Sequence, residues 1–163
     1  MEPTYCSRGT FNPTVMGKSK ADCKPCKGGY SCSDRGLGNL IKYKDKYLCP
    51  SGHYCPRGED IDPIKCIAGS FLDAKGDTDG FSLSKSSGAE SIKDCDFCPE
   101  HFYCPTGTGD PYNNPCPAGY FCPLGSGAPI SCAPGYYCPR KGAVTEQIIC
   151  PEGNYCPVGS AIP

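Results

Sequence analysis

The chain has no tryptophan, two methionines and two histidines in 163 residues. It therefore lacks the bulkiest core side chain and has little of the commonest general base and metal ligand. Apolar runs are short as well. None approaches the roughly 18 residues that a membrane-crossing helix requires, so no direct membrane span is expected. The residues behind Met1 (Glu2, Pro3, Thr4, Tyr5) form neither the charged nor the apolar stretch of a secretory leader. Any such leader is expected outside this sequence, or the numbering begins inside a longer chain. Asn-x-Ser/Thr is missing too: Asn12 precedes Pro13, and Asn113, Asn114 and Asn154 have no Ser or Thr two places on. N-glycans are not expected, and O-linked glycans on the Ser-rich 81–92 loop are the candidate modification.

What the chain has in quantity is cysteine, 16 residues, with 21 glycines, 18 prolines and 11 tyrosines. Cysteine at this density belongs to disulfide scaffolds, and thiols in such number become cross-links only in an oxidising compartment. An extracellular or cell-surface location follows as the expectation. An even count lets every cysteine pair. With so much Gly and Pro, a conventional core is hard to assemble, and staples are expected to stand in for it.

Repeats dominate the organisation. Six segments have two cysteines separated by five residues: Cys26 to Cys32, Cys49 to Cys55, Cys98 to Cys104, Cys116 to Cys122, Cys132 to Cys138 and Cys150 to Cys156. Five carry Gly three places after the first cysteine (Gly29, Gly52, Gly119, Gly135, Gly153), and His101 is the exception. The other four cysteines form a second pattern. Cys6 opens CSRGTF and Cys66 opens CIAGSF, each followed after a loop by Asp-Cys-x-x-Cys, at Cys23/Cys26 and Cys95/Cys98. A six-cysteine module therefore occurs twice, at 1–59 and 60–126, and a four-cysteine partial module fills 127–163. Pro and Gly recur after the second cysteines, at Pro56/Gly58, Pro105/Gly107, Pro123/Gly125, Pro139/Gly142 and Pro157/Gly159. These residues set turns and exclude helix, so the expected fold is small and disulfide-rich: an elongated tandem array with short β-hairpins and little helix. Only the 73–94 loop and the lysine-rich 39–48 segment are long enough to differ.

The chemistry these residues offer is limited. Zinc would need four ligands brought together, yet Cys23/Cys26 and Cys95/Cys98 lie far apart in sequence, with only His53 and His101 besides. Redox use of Cys-x-x-Cys expects a strand-to-helix setting that the Gly/Pro-rich surroundings do not supply. His53 and His101 read as repeat-position variants of Tyr or Gly. No catalytic constellation is legible, so no enzyme activity and no cofactor are expected. Asp73, Asp77 and Asp79 in DAKGDTDG offer oxygen ligands for calcium but lack the spacing and terminal Glu of an EF-hand loop, leaving a solvated acidic loop as the plainer reading.

Aromatics precede the second cysteines: Tyr54, Tyr103, Phe121, Tyr137 and Tyr155, with Tyr30, Phe102, Tyr120 and Tyr136 one place earlier. Alternate residues of an extended segment face opposite ways. One ring of each pair is therefore expected to pack on the next module's disulfide, and the other to face outward as a contact surface. Charge is uneven although the net is −1. Residues 1–58 hold ten Lys/Arg against four Asp/Glu, residues 59–110 hold four against eleven, and residues 111–163 hold two of each. No nucleic-acid partner is expected. Solvated faces explain such blocks; opposite patches that steer neighbouring copies together are the alternative.

The motifs CSRGTF, CIAGSF and the run from Cys116 to Cys156 resemble ephrin-receptor-like cysteine-rich repeats, and the cysteine grammar is similar to that of tumour-necrosis-factor-receptor repeats. Proteins with such repeats include surface proteins, extracellular coats and flagellar hairs. The resemblance implies Cys6 with Cys23 and Cys66 with Cys95. It also implies an interlaced pairing of each following foursome: Cys26 with Cys49, Cys32 with Cys55, Cys98 with Cys116, Cys104 with Cys122, Cys132 with Cys150 and Cys138 with Cys156. The competing scheme closes each C-x5-C locally, and sequence does not choose between them.

Two functions are consistent with this reading. One is a structural segment or subunit of an extracellular fibre, filament, coat or flagellar hair, self-associating head to tail or joined to further repeats. VGSAIP, aligned with LGSGAPISC ahead of Cys132, favours this reading, because a copy beginning near Cys6 would continue the pattern. The other is a ligand-binding or stalk ectodomain of a cell-surface receptor or adhesion protein, with contacts through the outward tyrosines and the 73–94 loop.

Overall fold

The protein is seen here in a computed structural model that describes residues 4–40, 42, 47–58, 62–73, 88–139 and 147–163. Its regular elements are minimal. Each strand is two residues long: β1 Thr10–Phe11, β2 Lys24–Pro25, β3 His53–Tyr54, β4 Ile64–Lys65, β5 Ser70–Phe71, β6 Asp96–Phe97, β7 Tyr120–Phe121, β8 Ile130–Ser131, β9 Tyr136–Tyr137 and β10 Ile148–Ile149. They pair antiparallel as β1-β2, β3-β4, β5-β6, β7-β8 and β9-β10. Three 3-10 turns, Lys20–Asp22, Ile92–Asp94 and Pro111–Asn113, lie among the described residues as well. No helix among the described residues is long and apolar enough to cross a membrane.

The strands are short because the punctuation is dense. A positive-φ residue, glycine or in one case His101, precedes the aromatic pairs and proline follows the next cysteine, so the extended conformation lasts two residues before the chain turns. Glycine is required where it falls: Gly9, Gly29, Gly69, Gly119 and Gly135 have φ between 75° and 86°, a region closed to most side chains. His101 adopts φ 72° at the matching place, a non-glycine in a glycine conformation.

All sixteen cysteines are disulfide-bonded. Cys6 pairs with Cys23 as expected. The interlaced foursomes are overturned. The bonds are Cys26–Cys32, Cys49–Cys55, Cys98–Cys104, Cys116–Cys122, Cys132–Cys138 and Cys150–Cys156, each spanning six positions. The physical cause is the turn between the cysteines. In the segments whose glycine or His101 has positive φ, the chain folds back and sets the two Cα atoms 5.8 to 6.4 Å apart, within ordinary bridging range. Closing so short a loop contributes about 2 kcal/mol each through the unfolded chain.

By contact density the chain divides into two units, Met1–Lys65 with Asp73–Cys95, and Cys66–Leu72 with Asp96–Pro163. Each has a small core in which disulfides are the main content. In the first, Phe11, Leu37 and Leu40 bury with Cys26 and Cys32, and Tyr30 and Tyr47 pack against them. In the second, Phe71 buries with Cys98 and Cys104 under Phe102, whose ring meets Tyr112 edge-on at 5.1 Å. The first unit also contains an ion pair between Arg8 and Asp62 at 2.7 Å, exposed on both sides and worth under about 1 kcal/mol.

Candidate interaction surface

With disulfides closed inside each segment, something else must join one segment to the next. It is the backbone at the positive-φ residue. Gly9 donates its N–H to the Cys32 carbonyl at 2.9 Å and accepts the Cys26 N–H at 2.8 Å. Gly29 does the same with Cys55 and Cys49, Gly69 with Cys104 and Cys98, Gly119 with Cys138 and Cys132, and Gly135 with Cys156 and Cys150. His101 does so with Cys122 and Cys116, so its side chain changes the residue and not the joint. The disulfide makes this possible, because it holds the N–H of its first cysteine beside the C=O of its second. Two reciprocal bonds then fix one module on the next.

A second pair of bonds runs back from the Gly behind the second cysteine. Gly125 N–H meets the Cys98 carbonyl while Ser126 C=O accepts the Cys104 N–H; Gly159 and Ser160 repeat this on Cys132 and Cys138. Gly36 and Gly107 donate likewise to Cys6 and Cys66. The hydroxyls of Thr108, Ser126 and Ser160 donate to the carbonyls of Pro105, Pro123 and Pro157 at 2.6 to 2.7 Å, locking the turn that presents these groups. Beyond the recurrent Pro and Gly, the Ser or Thr that follows carries this turn, and its recurrence as C-P-x-G-[ST] at 104–108, 122–126 and 156–160 is the signal for it in the sequence. Close approach explains the paired glycines. A methyl group on Gly69 would overlap the Gly125 carbonyl, and one on Gly119 would overlap that of Gly159.

The aromatic residues are distributed less simply than expected. Tyr120 and Tyr136 are exposed while Phe121 and Tyr137 are half-buried, an alternation within each pair. Tyr30, Tyr54 and Tyr103 are half-buried, and Tyr155 is 86% exposed. Tyr30 and Phe102 pack on the disulfide of their own module together with the phenylalanine of the preceding one, Phe11 or Phe71. Elsewhere in the second unit, exposed Ile67, Phe97 and Leu124 line an apolar groove of about 300 Å³ with Gly69 and Gly125.

The polar candidates are scattered. The His53 ring Nδ1 lies 2.9 Å from the Ser51 carbonyl, whereas His101 Nδ1 is buried without a hydrogen-bond partner. Of the calcium candidates, Asp77 and Asp79 lie outside the described residues, and Asp73 is half-buried. No cluster of three or more His, Cys, Asp or Glu side chains suited to a metal occurs among the described residues. Asp22 and Asp94, the acidic residues of the two Asp-Cys motifs, are structural. Asp22 Oδ2 accepts the N–H groups of Lys18 at 2.7 Å and Ser19 at 2.9 Å; Asp94 accepts those of Glu90 and Ser91, both at 2.9 Å. The Ser19 and Lys18 amides hold the Asp22 carboxyl below its ordinary range, because they stabilise the charged form.

No protein-family model matches this chain, and no curated protein matches it in sequence.

Proposed function

We propose that this chain is a structural repeat segment of an extracellular fibre, coat or flagellar hair, and that it works by assembling head to tail with further repeats of its own kind. The observation that carries this reading is the joint. Six contacts, two within the first unit and four within the second, use the same reciprocal backbone bonds, and one of them has His in place of Gly, so the contact depends on module geometry and not on particular side chains. An interface of that kind propagates, as in other repeat arrays. Complete oxidation of the cysteines supports an extracellular setting. The reading assigns the chain no catalytic chemistry and no cofactor.

Electron microscopy of the purified, fully oxidised protein tests it. Ordered filaments that lengthen with protein concentration are the expected result; monodisperse particles of single-chain size at all concentrations would sink it. One observation favours a second reading, a ligand-binding or stalk ectodomain: the groove of Ile67, Phe97 and Leu124 exposes apolar side chains beyond what packing needs. Monodisperse particles that gain a ligand at that groove would support it.

A further inference from the structure

One contact in the first unit sets two cations against each other. Cys26 pairs antiparallel with Gly58, so the residues one step on, Lys27 and Arg57, stand opposite each other. Residues so placed have Cβ atoms about 5 Å apart, and like charges there weaken the pairing. Both side chains are exposed, and neither has an ion pair or hydrogen bond among the described residues. Lys24, exposed on β2, adds a third cation about 10 Å back along the extended chain, again without a salt-bridge partner among the described residues. Of the charged groups nearby, Arg8 is bonded to Asp62, and Glu90 folds over Gly28, next to Lys27, without forming an ion pair with it.

The fold does not require these cations. In the second unit the Gly125 N–H meets the Cys98 carbonyl as the counterpart of the Cys26–Gly58 contact, and the places of Lys24, Lys27 and Arg57 are held there by Asp96, Pro99 and Leu124. Three cations at matched positions of one unit, two of them kept against their mutual repulsion, are explained by a bound anion and not by packing.

We infer that Lys24, Lys27 and Arg57 form a binding strip for a sulfated polysaccharide. Two cations at one cross-strand spacing and a third along the same strand match a linear polyanion with more than one anion per sugar. A multiply sulfated sugar offers that; a uronate chain, with one carboxylate per ring, does not. Arg57 brings a planar fork that takes two sulfate oxygens at once, and the lysines bring point charges. The chain as a whole has a net charge of −1, so attraction for a polyanion has to be local. The inference is independent of the assembly reading, because the strip is complete on a single chain.

Binding of the oxidised full chain to heparin over a salt series tests it, with polygalacturonate, which carries only carboxylates, as the comparison probe. Lys27→Gln with Arg57→Gln removes the opposed pair. Arg35→Gln with Lys42→Gln removes two other exposed cations of the first unit; Arg35 leads into Leu37, which pairs with Phe11 on the side away from Lys24. Wild-type protein is expected to bind heparin with an affinity that falls as salt rises. The strip variant should bind about tenfold more weakly or worse, and the slope of log affinity against log salt should flatten by about one to two, because fewer counterions are released. The control variant should change affinity by less than about threefold, and Glu90→Gln should tighten binding by removing the opposing charge. Non-reducing mass spectrometry and exchange protection of the Cys26 amide establish that the variants are folded. Absence of heparin binding by the wild type, a control variant that loses as much as the strip variant, or polygalacturonate held as tightly as heparin would each overturn the inference.

Discussion

Alanine at two equivalent glycines should have very different consequences. Gly119 and Gly135 occupy the same place in adjacent modules with φ of 82° and 84°. Each donates to a following cysteine and accepts from another. A side chain in this conformation costs about 1–2 kcal/mol at either position. At Gly135 that is the whole cost, because nothing lies within contact distance of the added methyl. At Gly119 the methyl overlaps the Gly159 carbonyl, and backbone, unlike a side-chain end, cannot swing away. Relief requires parting the modules, which weakens Gly119 to Cys138, Cys132 to Gly119 and Gly159 to Cys132. At roughly 0.5–1.5 kcal/mol per net bond, Gly119→Ala should cost about 3–5 kcal/mol in all. Native-state hydrogen exchange reads this locally with the disulfides intact: the Cys132 amide should lose protection in Gly119→Ala, while in Gly135→Ala the Cys150 amide should lose only the smaller increment. Equal losses in the two variants would refute the close-approach argument, and no loss in either would refute the joint itself.

Three further outcomes follow. His101→Gly should stabilise the second unit by about 1 kcal/mol, read as slower exchange of the Cys116 amide, because glycine relieves φ 72° and removes a buried nitrogen without a partner. Trypsin cutting after Arg35 and Lys42 should release the Cys26–Cys32 bridge from the Cys49–Cys55 bridge without reductant, whereas peptides held together until reduction would restore the interlaced pairing. Asp22 should titrate below the ordinary aspartate value of 3.8. Its depressed pKa means the Lys18–Ser19 turn gains stability above the unfolded-state value and loses it as pH falls through the lower folded one. Backbone amide shifts of Lys18 and Ser19 measured through that range should follow the carboxyl in wild type and stay flat in Asp22→Asn.

Much of the local structure is legible in the sequence. Two-residue strands follow from Pro and Gly at each end of an aromatic pair, and positive φ at the third residue follows from glycine being nearly invariant across the copies within this chain. The Cys6–Cys23 bridge followed from the resemblance. The joint was not legible, because its bonds involve backbone groups that every residue has, and no residue type advertises them.

Cysteine density and the C-x5-C repeat by themselves determined that this is a small disulfide-rich fold of hairpin modules without an extended core, because composition limits what can be buried and turn residues act locally. Pairing was a tertiary matter. Interlaced and local bridges use the same cysteines at the same spacings, and what decided between them was the reversal at each glycine, which brings cysteines six positions apart within bridging range. Once the bridges close locally, the modules must be joined by backbone hydrogen bonds between them, and that arrangement, absent from any list of residues, is where the candidate function resides.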